Sequence, residues 1–237
     1  GMKFDNISSN EKINKWINQS YQECKASYPL PERGRIAFDI GANVGGFCIH
    51  AHKNFDKIFA FEPMVENYKI LHQTIETLGI KNVEIFNTAV YSESNKTLPL
   101  RVYGGDHTKD ITCADFVNEN TKEIDQQCET ISLKDAMTAL GLNGIDYLKL
   151  DCEGSEYEIL ENFNHYGNIS WICMEIHDFY GTDRKENLLK ILEKSHYIID
   201  IKKSGRFTVD ELIESAKPSS DYIKCNNLLC INRDHLK

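Results

Sequence analysis

The chain has 237 residues and a net charge of −9, with hydrophobic side chains at 41% and charged ones at 27%. That length suits one domain, or one domain with an appendage, able to bury a full core. The acidic balance argues against a nucleic-acid partner, which needs a basic face. No apolar run approaches the ~20 residues of a membrane helix, and no secretory leader is visible, so a cytoplasmic protein is expected. Gly1 ahead of Met2 reads as a leftover of an expression tag. The eight cysteines show no C-x-x-C pairing or zinc-finger spacing, which fits a reducing compartment. Cys48, Cys152 and Cys173 fall within or beside expected core elements, where a thiol acts as a small hydrophobe.

In chain order, Ser9 to Cys24 has the spacing of an amphipathic helix, with Ile13, Trp16, Ile17, Tyr21 and Cys24 on one side and Ser8 or Ser9 as cap. Pro29 and Pro31 then break the chain. This segment, residues 1–34, is either a helix packed on the flank of a sheet or a lid. Residues 36–46, IAFDIGANVGG, read as a buried parallel strand, an acid at its end and a glycine turn opening onto a helix that runs to about Lys53. Gly41 and Gly45 allow a sharp turn and close approach of a ligand.

A dinucleotide loop, G-x-G-x-x-G, keeps its second glycine so that a pyrophosphate can touch backbone. Here that position is Asn43, and Asp39 adds a carboxylate just before the turn. A fixed negative charge there repels a pyrophosphate and attracts an ammonium or a sulfonium. S-adenosylmethionine (SAM) carries both cations and no phosphate, so the turn favours SAM over NAD. Strand 57–61 ends at Glu62, about 20 positions after the turn, where an acid holds the ribose diol of either cofactor. A helix over 64–78 follows and stops at Gly79, and strand 83–87 ends at Asn87.

Residues 91–131 carry little pattern beyond strand-like alternation from Thr97 to Tyr103 and a turn at Gly104-Gly105; Asp106, His107 and Asp110 lie here. Ser132 caps a short helix with Asp135 as its partner and Gly141 as its stop. Strand 146–150 runs into Asp151-Cys152-Glu153-Gly154-Ser155-Glu156, with Ser155 expected to cap a helix that buries Ile159, Leu160 and Phe163. Strand 171–177 ends at His177 and Asp178. Asp183 with Glu186 is expected to cap the next helix, 197–201 is a strand, Thr208 with Glu211 caps a short helix, and 227–231 is the last strand. The alternation predicts an α/β fold, a mostly parallel sheet with helices on both faces.

The successive motifs FDIGANVGGF, IFAFEPMVENYKIL, NVEIFNTAVYS, ISLKDAM and DYLKLDCEGSEYEIL resemble those of the FkbM family of SAM-dependent methyltransferases, in order and in spacing, from about residue 35 to 178. The resemblance implies a Rossmann-like class I methyltransferase fold over residues 35–237, with seven strands and the final one antiparallel. It also implies that Asn87 and Ala89 flank the adenine and that the insertion around 91–131 shapes the acceptor pocket.

In a parallel sheet the carboxyl ends of strands line the crevice, and four expected strands end in polar groups. Asp39, Gly41, Asn43, Gly45, Glu62 and Asp151 are the cofactor-binding set, together with Asn87 and Ala89. Asp151, Glu153 and His177 are the catalytic set: His177 as base, Asp151 as base or orienting group, Glu153 and Glu156 as hydrogen-bond partners of a sugar or polyol. The alternative arrangement is a Mg²⁺ or Mn²⁺ ion on Asp151, His177 and Asp178, with no ligand spacing that requires it. Glu153, Glu156 and His177 have structural readings too, at a helix start and a strand end. The leading function is O-methylation of a hydroxyl on a small molecule or glycan. The alternatives are an NAD(P)-linked oxidoreductase or sugar-modifying enzyme, which lacks a Tyr-x-x-x-Lys pair here, and a silent SAM-fold binding protein. The acceptor's identity and the oligomeric state are not written in the sequence.

Overall fold

The computed structural model describes residues 4–103, 111–114, 121–177, 180–201 and 208–236. In chain order its first half runs α1 (Glu11–Ser27), β1 (Gly34–Ile40), α2 (Gly46–Ala51), β2 (Phe55–Phe61), α3 (Val65–Thr77) and β3 (Val83–Phe86). An insertion follows, with β4 (Ala89–Tyr91), β5 (Thr97–Tyr103), β6 (Ile111–Thr112) and β7 (Thr121–Ser132). The second half runs α4 (Leu133–Ala139), β8 (Ile145–Leu150), α5 (Glu156–Glu161), β9 (Ile169–Glu175), α6 (Thr182–Glu193), β10 (His196–Asp200), α7 (Val209–Glu214) and β11 (Asn227–Asn232).

A seven-stranded sheet in the order β10-β11-β9-β8-β1-β2-β3 carries the fold. Its neighbours are parallel except β11, which is antiparallel to both β9 and β10, as the resemblance implies. Consecutive residues of its strands enter opposite cores. Phe38, Phe59, Leu148 and Ile172 join the face covered by α4, α5 and α6, while Ala37, Ile58, Tyr147 and Trp171 join the face covered by α1, α2, α3 and α7. Burial on both faces is why the central strands read as continuous apolar runs.

The ends of some helices differ from the sequence reading. Asn10, not Ser8 or Ser9, caps α1, its side chain accepting from the Lys12 N–H. Ser155 makes no cap bond to α5, and Gly181 precedes α6 where an Asp183 and Glu186 pair was expected. Ser132 and Thr208 cap α4 and α7 as expected, Thr208 in a reciprocal capping box with Glu211. The insertion forms a four-stranded sheet, β4-β7-β5-β6, around Met64, Ala89, Leu100, Cys113 and Cys128. β7 was not read because Lys122, Glu123, Gln127 and Glu129 face solvent along most of its length.

Helix α1 packs on α2 as part of the same core, with Ile17 fully buried. A Cβ on Gly46 would lie 2.6 Å from the Ser20 carbonyl oxygen, so a glycine is what lets the two helices touch. Gly41 serves the same kind of contact between turns. Its φ is +78°, and a Cβ there would stand 1.8 Å from the Asp151 carbonyl oxygen. Gly79, at φ +66°, has nothing within 4 Å of the same position. Gly79→Ala is therefore expected to cost only backbone strain, about 1 kcal/mol, whereas Gly41→Ala adds a backbone clash and costs about 3 kcal/mol or more. Thermal unfolding checks this: roughly 2–4 °C is lost for the first and at least twice that for the second.

Candidate functional site

The carboxyl ends of β1, β2, β8 and β9 converge on one crevice, and the turn after β1 is its floor. Gly41, Asn43 and Gly45 all have positive φ, at 78°, 50° and 95°. Asparagine tolerates this conformation better than other side-chain-bearing residues, and here Asn43 Oδ1 also accepts from the Val44 N–H at 2.8 Å. The backbone N–H groups of the turn are used internally. Those of Gly41 and Ala42 go to the Phe61 carbonyl, that of Asn43 to Glu62, and that of Gly45 to the Ala42 carbonyl. A pyrophosphate cradle needs such groups pointing outward at the ligand. From Gly41 to Gly45, none does.

Glu62 stands at the end of β2, 4% exposed, on the wall of an open cavity. Its Oε2 accepts from the Asn43 N–H at 2.8 Å and its Oε1 from the Met64 N–H at 2.9 Å. Burial pushes its carboxyl up to about 7, against these two hydrogen bonds and the charge of Lys149. Each oxygen keeps a lone pair for a hydroxyl donor. Asn43, Asn67, Ala89, Thr112 and Cys113 line the same cavity. Asn87 does not. Its Nδ2 donates to the carbonyls of Glu62 and Pro63, at 2.9 and 3.0 Å, so it braces the turn after β2 and is no wall of the pocket.

Asp39 also departs from expectation. It is fully buried and pairs with Lys149, Nζ to Oδ1 at 3.0 Å, while Cys48 Sγ lies 3.3 Å from Oδ2. Its carboxylate is balanced by the ammonium and lines neither of the cavities of this crevice. Lys149, unremarked in the sequence, donates to the Gly41 carbonyl at 2.7 Å and sits 5.7 Å from the centre of the Tyr28 ring. Burial disfavours its charge, but Asp39 and Asp151 outweigh that and hold it protonated.

The turn after β8 carries the remaining groups. Tyr28 donates to Asp151 Oδ2 at 3.0 Å, which ties the end of the N-terminal segment to the site. Glu156, fully buried, accepts from the N–H groups of Cys152 and Gly154 at 3.0 Å each. His177 lies between two carboxylates, Nε2 3.1 Å from Glu153 and Nδ1 3.3 Å from Glu156. Burial works against its charge, yet the hydrogen bonds and charges of Glu153 and Glu156 win and push it up to about 11. An imidazolium donating at both nitrogens accepts no proton near neutrality, so the geometry contradicts a base role for His177. Burial raises the Glu153 carboxyl, and Glu153 sits at φ +52°. Ligand atoms of Asp151, Glu153 and His177 lie within 4.8 Å of one another. Asp178 lies outside the described residues, as do Asp106, His107 and Asp110.

A second open cavity shares Gly41, Asn43, Asp151 and Glu153 with the first and is completed by Trp16, Ser20, Glu23, Tyr28, Lys149 and Glu175. Helix α1 thus supplies a wall as well as packing on the flank. The insertion reaches the first cavity through β6, where Thr112 Oγ1 donates to the Cys152 carbonyl at 3.2 Å. No helix of the described residues is long and apolar enough to cross a membrane, and none of the eight cysteines is in a disulfide.

Residues 39–200 match the family described as the methyltransferase FkbM domain, which spans the turn, Glu62, the insertion and His177. The chain belongs to the FkbM methyltransferase family. Among its FkbM relatives, the 31-O-demethyl-FK506 methyltransferase FkbM of Streptomyces tacrolimicus is 24% identical over 180 residues, covering 62% of this chain and 67% of the relative. The solved FkbM methyltransferase of Methylobacillus flagellatus KT is 12% identical at a TM-score of 0.49, over 89% of this chain. The match covers 49% of that protein, so the chain spans about half its length. SMU.1697c of Streptococcus mutans, solved in complex with S-adenosylhomocysteine (SAH), is 12% identical at a TM-score of 0.45, over 91% of this chain and 96% of that one.

Within this FkbM domain, Lys149→Met leaves Asp39 buried without its partner. Removing one member of such a pair costs about 3–5 kcal/mol. Urea unfolding is expected to show that loss, and Lys149→Met combined with Asp39→Asn is expected to recover a substantial part of it.

Proposed function

We propose that this protein transfers the methyl group of SAM to a hydroxyl of a small molecule or glycan. The observation that carries the reading is Glu62, a buried carboxylate facing a cavity beside a glycine turn whose N–H groups are all engaged. Such a site offers acceptors to a ribose diol and no free backbone N–H of the turn to a pyrophosphate. Adenosine then occupies the cavity lined by Glu62, Asn67, Ala89 and Thr112, with the sulfonium end over Gly41 toward Asp151. Asp151, Glu153 and Glu175 supply the negative field for the cation that the sequence reading assigned to Asp39.

The acceptor belongs in the second cavity. Its oxygen attacks the methyl carbon in line with the C–S bond, which breaks to leave neutral SAH. Holding the two reactants in that line supplies much of the acceleration. Asp151 and Glu153 are the carboxylates that face both cavities, so the hydroxyl's proton passes to one of them. The carboxylates on this wall disfavour a phosphodiester chain, which supports a small hydroxyl acceptor over nucleic acid. The relative from S. tacrolimicus is named for an O-methylation, which points the same way.

Titration calorimetry with SAH and NAD⁺ tests the cofactor. SAH is expected to bind and NAD⁺ not to, and Glu62→Gln is expected to weaken SAH by about tenfold or more, a loss of ~1.4 kcal/mol. The sign of the pH dependence follows from Glu62, whose ionised form accepts the diol. Affinity rises as pH increases through about 7 and levels off above it. Binding of NAD⁺ in place of SAH would overturn the reading, and SAH binding with no labelled methyl transfer to a panel of hydroxyl acceptors would favour a silent binding protein. With an accepted substrate, Glu153→Gln is expected to lower kcat by about 10²-fold or more, with SAH affinity changed little.

A further inference from the structure

We propose that Asp151, Glu153 and His177 form a binding site for a single divalent cation of the Mn²⁺ type, placed where the two cavities meet. The claim rests on the methyl-transfer reading for its purpose only; the site itself stands on its own geometry. Octahedral ligands at about 2.1 Å from an ion stand roughly 3 to 4 Å apart. The three donor atoms already lie within 4.8 Å of one another, and His177 Nε2 is 3.1 Å from Glu153 Oε2. Less than an ångström of closure completes the set.

Two of the three ligands carry outer partners contributed from elsewhere. His177 Nδ1 faces Glu156 Oε1 at 3.3 Å, and Glu156 is itself fixed by the N–H groups of Cys152 and Gly154. That leaves Nε2 as the ring nitrogen turned toward Glu153 and Asp151. Asp151 is held through Oδ2 by the Tyr28 hydroxyl, which belongs to the N-terminal segment. A carboxylate behind a ligating histidine, which sets its tautomer and orientation, is how protein metal sites are ordinarily supported.

Charge points the same way. Asp151 and Glu156 act electrostatically on both Glu153 and Glu175. The cations acting on them are His177 and Lys149, and Lys149 is already paired with Asp39. A divalent ion placed among these carboxylates leaves the cluster closer to neutral. One imidazole and two carboxylates suit Mn²⁺ or Mg²⁺, with the remaining positions open to water or to an acceptor's oxygens. An acceptor with two neighbouring hydroxyls would chelate such an ion and present one oxygen to the methyl group.

The test is an electron-paramagnetic-resonance titration of Mn²⁺ against the intact chain, with SAH calorimetry on each variant as the check on folding. One saturable ion per chain is expected, displaceable by excess Mg²⁺. Glu153→Gln and His177→Asn are expected to weaken Mn²⁺ by tenfold or more, and Glu156→Gln, which touches only the outer shell, by about 10- to 100-fold. Absence of saturable Mn²⁺ binding in a chain that still binds SAH overturns the ion site and leaves the methyltransferase reading standing. So does binding that survives all three substitutions unchanged. Mn²⁺ binding without SAH binding would instead uphold the ion site and count against the proposed cofactor.

Discussion

The buried pair of Asp39 and Lys149 is the interaction on which the site depends. It joins the ends of the two central strands, β1 and β8, with Asp39 fully buried and Lys149 reaching only the wall of the second cavity. Two charges in such a place cost desolvation and are retained only with good geometry and further hydrogen bonds. Lys149 donates to the Gly41 carbonyl while it pairs with Asp39 at 3.0 Å. The pair therefore holds the glycine turn against the Asp151 turn, and Gly41, lacking a Cβ, lets them meet. What lies above is set by that contact: Asn43 reaching Glu62 on one side, and Asp151 reaching Tyr28 on the other.

This division of labour changes how the acids are understood. The acid nearest the glycine turn in sequence is neutralised and serves the scaffold. The acids that face open space, Glu62, Asp151 and Glu153, lie one strand away on either side of it. Each is placed by backbone donors or by a neighbouring side chain, so the crevice is anionic and its acids are oriented before any ligand arrives. Preorganised charge of this kind costs no reorganisation when a cation binds or a bond is broken. His177, cationic between Glu153 and Glu156, is part of that balance and not its proton acceptor.

Much of the architecture was legible in the sequence because the central strands are covered on both faces and each ends in a glycine or an acid. Phe38, Phe59 and Leu148 announced strands, and the motif order gave the family together with the antiparallel last strand. In the insertion, the alternation from Thr97 to Tyr103 showed β5, but β7 was not legible, since it turns charged and amide side chains to solvent and buries little besides Cys128 and Thr130. The role of Asp39 was misread for a different reason. Its partner Lys149 is distant in sequence, and a lysine inside an apolar strand gives no local sign that it points at a carboxylate. Tyr28, Trp16 and Glu23 were missed as pocket walls because the helical pattern shows which face is apolar but not what that face meets. Asn87 was placed correctly at a strand end, yet its amide is occupied by the carbonyls of the adjoining turn, a bond that only the fold reveals.

The central claim is that a cation-bearing adenosine ligand sits across Glu62, Gly41 and Asp151. A crystal structure of the chain with SAH tests it most directly. The account predicts both ribose hydroxyls within hydrogen-bond distance of Glu62, the adenine beside Ala89 and Thr112, and the thioether above Gly41 facing Asp151. Electron density for SAH elsewhere, with the Glu62 carboxylate left to its two backbone partners alone, would contradict it.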